Sequence, residues 1–306
     1  MASQDERRVV SPDMKSFPRR SPLRDGLMAL AVLCLVALAT PARAGAWLQV
    51  PGEAYVKASW LHLRAEERWT RDAGREAAEA FGGTYREHQA FVYAEVGVHP
   101  RATAVLSMAA KDARIVEARV PDYGTRSTGD LRVGARWGIL TGGLPVSLET
   151  LVGLPTYPET DPRAPIGARE QFLPAGTGHV EVETRLQAGF SFFPLPLYAN
   201  VDLGHRARGG AFGDQWLIAL EVGASGERLF VKSDLRGIVA RGGVGGSASA
   251  GAVSLNERVW NWAPEVAFRI ADTTWVTAGF SVPFAGRNVL DGVQWALGLA
   301  WQGRSP

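Results

Sequence analysis

The sequence predicts an all-β fold, a transmembrane antiparallel up-and-down β-barrel of about twelve strands, and three observations predict it. The first is alternation. In the closing run, Val293, Trp295, Leu297, Leu299 and Trp301 share one face, and Gln294, Ala296, Gly298 and Ala300 share the other. A soluble sheet turns its apolar face to a packed core and puts charge outside; bulky apolar groups opposite only small or polar ones suit lipid on one side and a narrow lumen on the other. The second is that short and long connections alternate along the chain. The third is that aromatic residues collect at the ends of the alternating runs.

The N-terminal segment is expected to be a targeting signal and not part of the fold. Arg19, Arg20 and Arg24 precede the apolar run Leu27 to Ala39, and Ala42-Arg43-Ala44 supplies small residues for cleavage after Ala44. That run is too short to span a bilayer and has the length of a secretory core. The expected division is therefore 1–44 as a cleaved signal peptide and 45–306 as one barrel domain. Cys34, the single cysteine, leaves with the signal, so no disulfide or thiolate site is expected in the mature chain. The whole chain has 33 basic and 31 acidic residues; residues 1–44 hold seven and four of them, which leaves 26 and 27. A near-neutral mature chain argues against nucleic acid as a partner.

Twelve alternating runs follow, near 54–63, 88–98, 102–111, 129–139, 145–154, 178–192, 197–206, 214–224, 229–240, 259–270, 275–282 and 292–302. Tight connections are expected at 99–101, 140–144, 193–196, 225–228 and 271–274. Longer ones are expected at 64–87, 112–128, 155–177, 207–213, 241–258 and 283–291. Tight periplasmic turns and longer outer loops give that asymmetry in outer-membrane barrels, with both termini on the periplasmic side. Register is tested by cost. In the sixth run Val180, Val182, Leu186, Ala188, Phe190 and Phe192 share a face, and a slip of one residue would put Glu181, Glu183 and Arg185 in lipid, at roughly 2–4 kcal/mol for a midplane arginine. Trp137, Phe190, Phe192 and Trp301 fall at periplasmic ends and Trp216, Trp262 and Trp295 toward outer ends, as two interfacial girdles would have them. Pro264 conflicts with a closed barrel, which has no edge strand, so a bulge or a later strand start is expected there.

With this register the inward positions carry both signs of charge. Besides Lys57 and Glu95 they are Arg132, Arg136, Glu149, Glu181, Glu183, Arg185, Asp202, Arg206, Glu221, Lys232, Asp234, Arg236, Glu265 and Arg269. They are the candidate lumen and solute-pathway residues. One reading makes them a polar conduit that filters solute; the other makes them paired charges that seal the lumen and hold strands in register. Arg132 and Arg136 are expected to face Glu149. Lys232, Asp234 and Arg236, between strands bearing Glu221 and Glu265, are expected to form a second cluster. The outer loops 64–87, 155–177 and 241–258 are the other expected source of selectivity, and the proline-rich 155–177 is expected to fold inward as a constriction.

No catalytic residue is expected. A barrel lipase needs a serine, a histidine and an orienting polar group at one height on the lipid-facing wall. His205 points outward near the outer rim without a matching serine motif, and His62, His88, His99 and His179 are too scattered for a metal site. No cofactor is expected. The glycine-rich stretch Gly242 to Gly251 lacks the Lys-Ser/Thr ending of a phosphate-binding loop and reads as a flexible outer loop.

The segment Ser127 to Trp137, read Ser-Thr-Gly-Asp-Leu-Arg-Val-Gly-Ala-Arg-Trp, resembles a recurring "G-x-G-D-L-x-x-G" element, followed by a basic and an aromatic residue, in a family of Gram-negative outer-membrane barrels labelled as transporters of the meta-pathway of phenol degradation. Weaker matches are Gly176-Thr177-Gly178, Leu203-Gly204-His205-Arg206 and the closing Gly298-Leu299-Ala300-Trp301. The similarity covers roughly 50–302. The chain departs from it at Thr128, where a small residue is common, and in extending past the last aromatic from Gln302 to Pro306. The resemblance implies a monomeric barrel that moves small, aromatic or hydrophobic compounds across the outer membrane. Expected partners are outer-membrane lipid and lipopolysaccharide, a small-molecule solute, and the barrel-assembly machinery during insertion. The alternatives are a sealed structural or surface barrel without permeation, and an outer-membrane lipid-modifying enzyme.

Overall fold

In the computed structural model the described residues are 45–77, 83–116, 123–157, 176–210, 212–241 and 256–304. The expected signal peptide, most of the proline-rich connection and the stretch Gly242 to Gly251 lie outside them. The described residues form fourteen antiparallel strands: β1 (Glu53–Trp69), β2 (Arg75–Ala77), β3 (Thr84–His99), β4 (Ala102–Val116), β5 (Tyr123–Thr128), β6 (Leu131–Leu140), β7 (Val146–Leu154), β8 (Glu181–Ser191), β9 (Leu197–Arg208), β10 (Asp214–Ser225), β11 (Leu229–Arg241), β12 (Arg258–Ala271), β13 (Thr274–Arg287) and β14 (Val289–Arg304). They make twelve staves. β2 continues the line of β3 along β1, and β5 continues that of β6 along β4, so each of these pairs counts once. Each stave pairs with its sequence neighbour, and β1 pairs with β14 over sixteen residues from Glu53↔Arg304 to Trp69↔Val289. The barrel is closed.

Alternation sets the two faces. Large apolar residues turned away from the lumen are exposed on stave after stave: Leu148, Leu186, Leu203, Leu220, Leu235 and Leu297 are 41–56% exposed and make a continuous belt. Burying this much apolar surface requires lipid, since a soluble monomer rarely leaves so large a patch uncovered. Trp137, Phe190 and Phe192 border the belt at the periplasmic end, and Trp60, Trp216, Trp262 and Trp295 at the outer end. The outer girdle is partly continuous, with Phe280 wedged between Trp262 (centroids 5.5 Å apart) and Trp295 (5.4 Å).

The observed strands differ from the expected ones mainly at their outer ends. The expected loop 64–87 is largely strand: β1 runs on to Trp69, and β2 and β3 return along it. The expected loop 112–128 likewise contains the end of β4 and all of β5. Above the girdle the pattern inverts. Ala65, Tyr85, Ala113 and Ile115 pack together on the inner face, while Arg64, Arg86 and Arg114 face outward. Alternation keyed to lipid fades there although the hydrogen-bond ladder continues. The alternation of short and long connections also fails at the last hairpin, where β13 and β14 are joined by Asn288 alone. Its φ of 53° is the left-handed conformation that asparagine tolerates better than most residues. Pro264 causes neither a bulge nor a late start. It pairs with Ser233 of β11, and toward β13 the register passes from Trp262↔Val282 to Glu265↔Gly279 without partners for Ala263 and Pro264. The missing N–H therefore falls in a gap of the ladder. The register shifts of β12 lie elsewhere, at Trp260/Asn261 and Arg269/Ala271.

Candidate conduit

Ahead of β1, the segment 45–50 enters the lumen at its periplasmic end and runs across it as a strap. At its start the Ala46 N–H donates to Asn200 Oδ1 of β9 (3.0 Å), and the Trp47 ring meets Tyr198 edge-on. At its far end the Gln49 N–H donates to Thr103 Oγ1 of β4 (2.9 Å), the Gln49 side-chain amide donates to Glu95 of β3 (2.9 Å), and the Gly52 N–H donates to the Gly97 carbonyl (2.9 Å). Midway, Arg136 Nη1 donates to the Trp47 carbonyl (3.2 Å). Three inward glycines make room. A Cβ at Gly189 would collide with the Trp47 ring, one at Gly138 with the Leu48 side chain, and one at Gly97 with the Val50 carbonyl. Sequence reasoning missed the strap, because 45–50 has no strand pattern of its own. Its trace was those glycines, at one height on three staves.

Arg136 joins strap to wall. It is 4% exposed and reaches Glu149 of β7 (2.7 Å), Glu95 (2.9 Å) and the Tyr93 hydroxyl (3.3 Å). Glu95 lies on β3, two staves from β6, so this contact closes over β4 on the concave side of the sheet. Arg136 and Glu149 are direct register partners, as expected.

Arg132 does not join them; the expected bridge to Glu149 is corrected by the structure. It reaches past β7 to Glu183 (2.9 Å) and Glu181 (3.1 Å) of β8. Gly153 stands between, partner of Arg132 on one side and of Glu181 on the other, so no side chain blocks the crossing. Glu183 also takes Arg206 of β9 (2.5 Å) and Arg185 (2.5 Å), and Arg185 lies 3.8 Å from Asp202. Toward the outer end, Arg206 donates to Gln215 (2.9 Å), and Arg208 pairs with Glu257 (3.4 Å). Gln215, Arg208 and Glu257 were not singled out from the sequence.

The second expected cluster is present on the opposite wall. Lys232 holds Glu221 (2.8 Å) and Asp234 (3.3 Å), and Arg236 holds Asp234 (2.8 Å). Tyr198 donates to Glu221 (2.6 Å). Glu265, the register partner of Lys232, bridges instead to Lys57 of β1 (2.5 Å), three staves away across the lumen. Arg269, by the periplasmic turn, lies over the Trp275 ring (5.7 Å) and 3.7 Å from Glu227, apart from both clusters.

Ion pairs lace the inward wall. Every long inward cation named above has a carboxylate partner, and several bridges span two or three staves. Such pairs fix the shape of a lumen and give it fixed charges of both signs, the two attributes of a selective passage. On the outside, His205 faces lipid 3.5 Å from Asp214 and edge-on to Trp216, and no serine hydroxyl bonds to it among the described residues.

No family model matches the chain, and no curated protein matches its sequence. Solved structures do match its fold. A COG4313 outer membrane channel from Pseudomonas putida F1 superposes with a TM-score of 0.63 over 86% of this chain and 100% of the other, at 10% identity. This is the fold of an outer-membrane channel. The NanC porin (TM-score 0.46, 8% identity, covering 79% of this chain and 98% of the other) and the CymD monoaromatic hydrocarbon channel (0.45, 7%, 84% and 90%) are more distant matches.

Proposed function

We propose that this protein is an outer-membrane channel through which small molecules pass passively, by a path lined with the paired charges of the lumen and narrowed by the strap. The observation that carries the reading is the make-up of the interior. Ion pairs and tyrosines line the wall, and the strap crosses it through a few hydrogen bonds and one ring contact, not a packed apolar core. Net, such hydrogen bonds are worth about 1 kcal/mol each, so the obstruction is held far less firmly than the barrel itself. The resemblance to the phenol-pathway family supports small aromatic or hydrophobic compounds as the solute. The candidate pathway residues are those named from the sequence, with Arg132, Arg136, Glu183, Arg206, Lys232 and Glu265 at the crossings. Residues 1–44 serve as the export signal in this reading, cleavage after Ala44 makes Gly45 the first residue of the strap, and the barrel-assembly machinery inserts the chain.

The bridges across the lumen, Lys57–Glu265 above all, also suit a sealed surface barrel. Liposome swelling separates the two. Vesicles carrying the refolded barrel are expected to swell in small isosmotic solutes faster than empty vesicles, and equal rates for both would favour the sealed barrel.

A further inference from the structure

On the lipid-facing side of β1, β3, β4 and β5, two adjoining rungs carry charge. Arg64, Arg86 and Arg114 are successive register partners across three staves. Their guanidinium groups therefore start from Cβ atoms about 5 Å apart, and like charges set directly opposite weaken a sheet. The rung below runs His62, His88, Asp112 and Arg126, again partner to partner. Asp112 holds Arg114 (3.0 Å) and Arg126 (2.7 Å), and Glu66 holds Arg64. Arg86, in the middle of its rung, makes no ion pair among the described residues. Among the described residues, the two rungs set four arginines and one aspartate on an outward wall.

Its height is fixed by register. His62 is the direct partner of Trp295, so the lower rung meets the outer aromatic girdle at β1 and, because the strands tilt, slants away from that height across β3, β4 and β5. The arginine rung is two residues further out, about 7 Å along the strand. The outward positions at that level are arginines, which the acyl region would penalise, so the wall has already left it. The arginines thus stand at the depth of lipid headgroups. Directly beneath them a shallow groove of about 420 Å³ is lined by Trp60, His88, Ala110, Asp112, Arg126 and Thr128. Below that the wall is plain apolar belt, with Val92 and Leu106 exposed.

We propose that this face is a binding site for lipopolysaccharide. The arginine rung holds the phosphates of its lipid A, and the groove by Trp60 receives the upper part of an acyl chain. Guanidinium groups match phosphate oxygens two at a time, and a row of three spans more than one phosphate, which a bis-phosphorylated glycolipid presents and a glycerophospholipid does not. Binding an anion there also relieves the repulsion within the row. The inference rests on the barrel standing in an outer membrane, but not on solute passing through it, so a barrel that fails to conduct leaves it intact.

Native mass spectrometry of the refolded full barrel in detergent tests it, with bis-phosphorylated lipid A as probe. One bound lipid A is expected. The triple variant Arg64→Gln/Arg86→Gln/Arg114→Gln is expected to weaken binding about a hundredfold, roughly fivefold per arginine. Arg241→Gln/Arg258→Gln/Arg287→Gln, at the outer end of β11–β13, is expected to leave it unchanged. Two arms need no variant. Dephosphorylated lipid A is expected not to be retained, and phosphatidylglycerol to be displaced by lipid A. Equal retention of phosphorylated and dephosphorylated lipid A, equal loss in both triple variants, or phosphatidylglycerol that lipid A does not displace would each overturn the proposal.

Discussion

Refolded protein that begins at Pro51, and so lacks the strap, is expected to conduct several times more current per channel than the chain that begins at Gly45. The strap crosses the periplasmic end of the lumen from Asn200 on β9 to Thr103 and Gly97 on β4 and β3. It contributes no strand to the barrel, whose closure is the β1–β14 ladder beginning at Glu53. Removing it widens the path and leaves the wall standing. A single substitution is expected to have part of the same effect: Gly189→Val puts side-chain atoms where the Trp47 ring lies and detaches the strap's first half. Planar-bilayer recording reads both. Unchanged conductance in the shortened protein would mean that the narrowest point lies elsewhere.

Arg136→Met is expected to cost the most stability of any single change in the lumen, about 3–5 kcal/mol, because it leaves buried carboxylates without their counter-charge. Glu149 and Glu95 both face Arg136, and both are nearly inaccessible to solvent. Adding Glu149→Gln to Arg136→Met is expected to recover part of the loss, since a neutral amide in that site has less need of a cation. The urea midpoint of the refolded barrel, followed by the change in its gel mobility on heating, reports both variants. Arg126→Met, whose side chain is 76% exposed, is expected to change the midpoint little, as exposed ion pairs contribute little. A loss at Arg136 no larger than that at Arg126 would show that the buried network does not hold the barrel together.

Much of the fold was legible because lipid imposes a strict rule on each membrane-spanning stave. Leu186, Leu203 and Leu220 face one way and Glu183, Asp202 and Glu221 the other, and a slip of one residue is costly. The tight turns, the inward charges and the Arg136–Glu149 pair followed from that rule. It stops applying above the girdle, where Arg64, Arg86 and Arg114 face outward; strands there read as loops, and the charged face on β1, β3, β4 and β5 went unseen. Bridges that skip a stave were also out of reach. That Arg132 passes Glu149 for Glu181 and Glu183 depends on Gly153 lying flat between them, and Lys57 meets Glu265 only because the sheet curls closed. The strap was hidden for a different reason: it is held by neighbours far away in sequence, such as Asn200 and Arg136, and not by any pattern within it.

Single-channel recording of the refolded mature chain in a planar bilayer, before and after adding a small aromatic solute, tests the central claim most directly. Steady unitary conductance that the solute blocks in proportion to its concentration is the predicted result, because solute and ions would share one path through the lumen. A fully inserted, heat-modifiable barrel that stays silent with the strap present and with it removed would contradict the claim.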